Sequence, residues 1–286
     1  MSDEVGFISM AGAKATGKAP QIGIGMLGYA FMGKAHANAF KKIPYIMYPP
    51  VAIPRLVAIC GRNEEAVAEA ARRYGYEKYY TDWRKMLEDP DIQVFDNGGP
   101  NNMHAEPCIA AAQAGKHILC EKPMDVTLEA IDDLIAAAAE NNVKLAGVFQ
   151  RRTYDSSKKV REAVRTGKLG KIVVGDSYQK YFRSHEYYAS GAWRATWDLD
   201  GGGALMNQGV HTVDLLLWMM GRPVEISAMT GLIAHERIEV EDTTAAIIRF
   251  ESGALATLHA TTAAYPNVTN RLQIHGDQGS AVIDLD

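Results

Sequence analysis

Gln21-Ile22-Gly23-Ile24-Gly25-Met26-Leu27-Gly28-Tyr29-Ala30-Phe31-Met32-Gly33-Lys34 decides the fold. Ile22 to Leu27 is an apolar run of strand length, and Met32 to Lys42 has helical periodicity, so a strand, a glycine turn and a helix follow one another. The pattern Gly-x-Gly-x-x-Gly first matches Gly23, Gly25 and Gly28, but these glycines lie inside the apolar run. A dinucleotide fingerprint needs its turn at the strand end, where free N–H groups of the following helix meet a pyrophosphate. Gly28-x-Ala30-x-x-Gly33, with Phe31 and Met32 between, satisfies that requirement. Ala30 stands where the second glycine is usual, and its methyl costs some backbone approach; the alternative is a purely structural turn.

Outward from this turn the same rhythm repeats. Leu56 to Cys60, Ile92 to Asp96, His117 to Cys120 and Val143 to Val148 read as strands. Glu64 to Tyr74, Trp83 to Glu88, Glu106 to Ala114 and Thr127 to Asn141 read as helices. Alternating strands and helices give a doubly wound parallel sheet of the dinucleotide-binding kind. After Phe149 the pattern changes. Ser156 to Arg165 and Leu205 to Met220 read as helices, whereas Lys171 to Phe182, Val224 to Gly231, Thr243 to Phe250, Ala254 to Thr262 and Arg271 to His275 are long extended segments. The expected class is therefore α/β: an N-terminal Rossmann domain over residues 21–149 and a C-terminal α+β domain over 150–286 with a large, mostly antiparallel sheet. The open face of such a sheet suits a homo-dimer or homo-tetramer. Residues 1–20 read as a disordered tail, and the stop at Asp286 directly after extended Ala281 to Asp284 reads as a chain cut short.

With 286 residues, 47% of them hydrophobic, the chain has material for two cores. A formal charge of -4 with both signs dispersed excludes a basic face for nucleic acid or an anionic membrane and leaves a small molecule as the expected partner. Cys60, Cys108 and Cys120 are odd in number and lie in apolar contexts without metal spacing. They read as reduced core thiols in a cytoplasmic protein, with no metal site. Exposed-looking Tyr45-Ile46-Met47-Tyr48 marks either an apolar surface near the cofactor or a subunit contact.

The second strand carries the cofactor's ribose in such folds, normally through an acid about 20 residues beyond the turn. That acid is missing. The Pro-rich insert Ile43 to Pro54 delays the strand, which ends Cys60-Gly61-Arg62-Asn63. Glycine followed by arginine leaves room for a 2'-phosphate and a cation to meet it, so the reading leans to NADP. The alternative is a solvated Arg62 with the ribose held by Asn63 or backbone, which suits NAD.

Two further groups of residues carry chemistry. Glu121-Lys122-Pro123 follows a strand end of an open parallel sheet, where ligands bind, though a surface loop with an ordinary ion pair has the same sequence. Asn207, His211 and Asp214, spaced four and three apart, share one face of a helix. A lone histidine among apolar residues is also compatible with a purely structural role.

Together these motifs resemble the glucose-fructose oxidoreductase and inositol dehydrogenase family: Gly28 to Gly33 with His36 behind it, Pro100-Asn101 with His104, Ala114-Gly115-Lys116-His117, Glu121-Lys122-Pro123, and Gly201-Gly202-Gly203 leading to Asn207, His211 and Asp214. The resemblance implies an NAD(P)-dependent dehydrogenase of a sugar or cyclitol secondary alcohol. Pro100, Asn101, His104, Glu121 and Lys122 then help to hold the cofactor, Lys122 reaches the reacting centre, and His211 is the acid-base residue. The family commonly carries an aspartate four residues before that histidine; Asn207 departs from it, and an amide orients a ring without offsetting its charge. Arg152, Tyr154, Lys180, Tyr181, Arg183, Trp193 and Arg194 are the expected sugar-pocket residues. Related architectures also include glycoside hydrolases with tightly held NAD and cofactor-binding sugar sensors without turnover, and a non-sugar carbonyl substrate is a further alternative.

Overall fold

A computed structural model of the chain describes residues 19–267 and 269–285; the expected tail falls almost wholly outside them. Two units emerge from the packing. One comprises the residues up to Gly99 with Met103–Cys120 and Glu129–Ala146, the other Pro100–Asn102, Glu121–Leu128 and Gly147–Asp286.

The first unit begins with β1 (Gln21–Leu27), α1 (Phe31–Ile46), β2 (Ile53–Cys60), α2 (Glu64–Tyr74), β3 (Lys78–Tyr80), α3 (Trp83–Leu87), β4 (Val94–Asn97), α4 (Ala105–Gln113), β5 (His117–Cys120), α5 (Leu128–Glu140) and β6 (Leu145–Gly147). Its sheet has the order β3-β2-β1-β4-β5-β6, and the order reverses at β1. β1 runs parallel to β2 and β4. Ile24, Met26, Leu56 and Ile59 pack with Val67, Ala70 and Ala71 of α2, which explains why these strands read as continuous apolar runs. α2 starts where the Asn63 side chain accepts the Ala66 N–H at 2.9 Å and stops at Gly75, whose φ of 77° is left-handed. Gly23 and Gly25 lie within β1. A Cβ on Gly23 would come within 1.8 Å of the Asp91 carbonyl oxygen, so these glycines serve strand packing rather than the nucleotide turn.

The second unit contains α6 (Asp155–Arg165), β7 (Ile172–Lys180), α7 (His185–Ala189), α8 (Val210–Met220), β8 (Pro223–Gly231), β9 (Thr243–Phe250), β10 (Leu255–Thr261), β11 (Thr269–Gly276) and β12 (Ser280–Asp284). The sheet order is β12-β11-β7-β10-β9-β8. All described pairs are antiparallel except β7 with β10, which are parallel, so the sheet is mixed and mostly antiparallel. Leu215, Leu216, Met219 and Met220 of α8 pack on Ile248, Phe250, Leu258, Leu272 and Ile274 of the sheet. The stretch expected as one helix from Leu205 to Met220 is two elements: Ala204–Gly209 forms a wider π-helical turn and α8 begins at Val210. A run of apolar residues does not distinguish the two, because the π turn differs only in the register of its backbone hydrogen bonds. Among the described residues no helix is long and apolar enough to cross a membrane.

Candidate active site

In the first unit the glycine turn joins β1 to α1. Gly28 has a φ of 99°, and its N–H donates to the Cys60 carbonyl at 3.0 Å. A Cβ on Gly33 would lie 2.0 Å from the Gly28 carbonyl oxygen, so α1 can start against the turn only if residue 33 is glycine. No side chain caps α1; Ala30 occupies its N-cap position. The first N–H groups of a sixteen-residue helix therefore open beyond a turn with no side chain at Gly28 or Gly33, an arrangement that fits a dinucleotide pyrophosphate. Gly28, Ala30, Phe31, Met32 and Gly33 are the residues that would hold it.

The end of β2 differs from the expectation drawn from Gly61-Arg62. The Tyr29 ring occupies the space beside Gly61: a Cβ there would be 2.2 Å from a ring carbon. Gly61 thus admits an aromatic ring against its backbone. Arg62 is exposed, and the Asn63 side-chain oxygen is committed to capping α2. His104 is buried with Nε2 3.0 Å from the Gly99 carbonyl, and His36 lies 2.9 Å from buried Asp96; both histidines organise the ends of this sheet.

Lys122 belongs to the second unit, where the loop after β5 meets the π turn. A pocket of about 290 Å³ is lined there by Lys122, Arg151, Gln179, Tyr181, Asn207 and His211, with Tyr154, Arg183 and Tyr187 among the other walls. Lys122, which precedes a cis proline bond, donates from Nζ to the Asn207 carbonyl at 2.8 Å. Burial lowers the Lys122 pKa, nearby Glu121 and Asp200 oppose that shift, and Arg151 and Arg194 add to it. His211 is pushed down to about 3, first by burial and then by the charges of Lys122 and Arg151. Its ring is therefore neutral, and Nδ1 is sealed from solvent without a partner.

Asn207 does not orient that ring, contrary to expectation. Its Nδ2 donates to Asp200 Oδ1 at 2.7 Å. Asn101 Nδ2 reaches the same oxygen at 2.9 Å, and Asp200 Oδ2 accepts the Ala195 N–H at 2.8 Å. Asn101, expected at the cofactor, is thus engaged within the second unit, as is Glu121, whose Oε2 accepts the Lys122 N–H at 3.1 Å. Pro100 lies in the same segment. Burial raises the Asp200 pKa while these donors pull it back.

Of the expected sugar-pocket residues, Tyr154, Tyr181 and Arg183 line the cavity. Arg152 does not: its guanidinium grips Asp214, with Nε 2.8 Å from Oδ2, and lies over Trp218. That contact also removes Asp214 as a charge partner for His211. Arg194 donates to the Tyr187 hydroxyl at 2.9 Å and stacks on Trp193, so both stand behind the pocket wall, and the Lys180 ammonium lies over Tyr178. Arg151, Gln179, Gln208 and Asp200 were not expected. Gln179 had a legible signal, since it alternates in phase with Ser177 on a strand whose inward positions are buried.

Residues 22–149 match the oxidoreductase family with an NAD-binding Rossmann fold, and residues 157–282 match the GFO/IDH/MocA C-terminal domain. A levoglucosan dehydrogenase of Pseudarthrobacter phenanthrenivorans is 31% identical over 93% of this chain and 74% of its own. The chain belongs to this oxidoreductase family. A myo-inositol 2-dehydrogenase of Thermotoga maritima is 29% identical over 91% of the chain and 75% of its own length. Among solved structures, a levoglucosan dehydrogenase in complex with NADH and L-sorbose superposes with a TM-score of 0.88 at 33% identity, covering 93% of this chain and 73% of that one. A Bordetella pertussis dehydrogenase in complex with NADH and UDP-GlcNAcA gives 0.85 at 31% identity, covering 92% and 74%. This member of the family is an NAD(H)-binding oxidoreductase with a Rossmann sheet and a mixed, mostly antiparallel second sheet.

Proposed function

We propose that this oxidoreductase interconverts a secondary alcohol and the corresponding ketone of a sugar or cyclitol, with Lys122 and His211 as its catalytic residues. The observation that carries the reading is the meeting of an ammonium and a neutral imidazole, both strongly desolvated, in one pocket of small-molecule size. When bound, the nicotinamide supplies the hydride acceptor or donor. His211 takes the proton of the substrate hydroxyl. Lys122, preorganised by its bond to the Asn207 carbonyl, donates to the same oxygen and stabilises the negative charge that grows there. Asn207 and Asp200 hold the backbone and the electrostatics around Lys122.

The cofactor in this reading is NAD(H), supported by the Tyr29 ring against Gly61 and by the NADH complexes of similar dehydrogenases. We also propose a homo-oligomer formed through the open face of the second sheet, where Met229 is 83% and Ile247 60% exposed. Three buried, unbridged cysteines support a cytoplasmic, reducing setting. The test is reduction of NAD or NADP followed by nicotinamide absorbance over a panel of polyols, with His211→Ala as control. Acid-base assistance contributes about 100- to 10,000-fold, so near-normal turnover by that variant removes His211 from the mechanism.

A further inference from the structure

Three cations line the pocket of the second unit, and no carboxylate does. Arg151 is only 7% exposed, yet its hydrogen bonds go to neutral groups: Nη1 to the Asn270 side-chain oxygen at 3.1 Å and Nη2 to the Tyr181 hydroxyl at 2.9 Å. Arg183 lies over the rings of Tyr181 and Tyr187, 5.3 and 5.2 Å from their centroids, and Nη1 donates to the Phe182 carbonyl. Its Nε is sealed from solvent with no acceptor. Gln179, 1% exposed, accepts the Thr212 hydroxyl at Oε1, which leaves its Nε2 as a second sealed donor without an acceptor. Lys122, the third cation, is bonded to a backbone carbonyl. The carboxylates near it are already engaged, Asp200 by Asn101, Asn207 and Ala195, and Glu121 by the Lys122 backbone N–H.

A buried guanidinium is costly unless an anion meets it, and a sealed N–H donor is costly unless an acceptor does. Three sealed, unpartnered atoms belong to residues that line this cavity, Arg183 Nε, Gln179 Nε2 and His211 Nδ1, and the first two are donors. We infer that the substrate is itself an anion, a sugar acid of monosaccharide size whose carboxylate is received by Arg151 and Arg183, with Gln179 Nε2 as a further donor. The inference rests on the reading of this pocket as the site of a hydroxyl-bearing substrate. A planar carboxylate matches the guanidinium fork in two-pronged fashion. A cavity of about 290 Å³ lies at the lower end of small-molecule sites and suits a single sugar ring better than a nucleotide sugar. A carboxylate here also offsets the charges of Lys122 and Arg151, which add to burial in making His211 weakly basic.

The test uses the full chain with NAD and with NADP, offered matched sets: hexonates and hexuronates, their neutral parent sugars with myo-inositol, and hexose phosphates. Acids are expected to exceed their neutral parents in kcat/KM by about 10- to 100-fold, the worth of a charge-assisted hydrogen bond. Arg151→Met and Arg183→Met should each erode that preference, raising KM for the acid more than for the neutral sugar. Arg151→Lys, which keeps the charge and loses the fork, serves if the methionine variant does not fold. A hexonate should also stabilise the wild type against heat more than the matching alditol does, and less so in high salt. Neutral sugars turned over as well as acids overturn the anion while leaving the dehydrogenase reading intact. Preference for the phosphates overturns the carboxylate. Turnover of nothing in any set overturns the dehydrogenase reading and this inference with it.

Discussion

Asn207 is bound to Asp200, not to His211: its amide nitrogen stands 2.7 Å from the Asp200 carboxylate. An amide at this position is therefore required by its neighbour. Asn207→Asp sets two carboxylates against each other in a buried site. The variant should lose about 1–3 kcal/mol of stability, the cost of a broken hydrogen bond to a charged group, and should have a lower kcat/KM. Thermal unfolding and steady-state rates check this; a variant as stable and as active as the wild type refutes it.

His211 makes stability depend on pH. Its ordinary value is 6.5 and the folded value about 3, so between these limits the unfolded chain binds a proton that the native state refuses. Stability is then full above pH 6.5 and is lost as pH falls toward 3, with a slope of up to about 1.4 kcal/mol per pH unit from this group. His211→Gln should flatten that part of the curve. Urea unfolding at a series of pH values measures it, and an equal slope in both proteins counts against the assignment.

Lys122 is both a donor to substrate and a charge that depresses His211. Lys122→Met should lower kcat/KM by about 100- to 1000-fold, the usual cost of an electrostatic donor. The same change should move the acidic limb of the pH-rate profile upward, because the imidazole regains basicity. A fall in rate with no shift of the limb would mean that the lysine supports the fold rather than the reacting oxygen.

Gly33 admits no side chain beside the Gly28 carbonyl. Gly33→Ala should destabilise the first unit by about 1–3 kcal/mol through overpacking and weaken NADH binding, read by fluorescence titration. Unchanged affinity would place the pyrophosphate elsewhere.

Tyr29 is the residue expected to discriminate between cofactors. Tyr29→Ala opens the space beside Gly61 next to the exposed Arg62, so NADPH affinity should improve relative to NADH. Titration with both reduced cofactors decides, and a ratio equal to that of the wild type rejects the role.

Much of this arrangement was legible because its physics is local. The strand, turn and helix from Gln21 onward follow from apolar periodicity and two glycines with no room for a Cβ. What was misread depends on contacts distant in sequence. Gly61 reads as open space in the sequence, yet the Tyr29 ring, 32 positions earlier, lies against it. Arg151 and Arg152 are adjacent and chemically identical, and only packing sends one toward Asn270 and the other to Asp214. Asp200 precedes a conspicuous run of glycines, but nothing in its spacing announces that Asn101, Asn207 and Ala195 converge on it. The three-residue β3 is too short to leave a periodic signal.

The π turn at Ala204–Gly209 has a consequence for how this chain tolerates change in length. Such a turn is in effect one residue inserted into an α-helix, and it lies immediately ahead of His211. Removing a residue from it would let the segment relax into ordinary helix without harming the apolar stripe of α8, yet everything on its N-terminal side would swing by about 100° relative to that helix. The Asn207 carbonyl that anchors Lys122 would be carried away with it. A deletion here should yield a folded chain that has lost its chemistry, which makes the helix's phase, and not only its residues, a property that selection has to maintain.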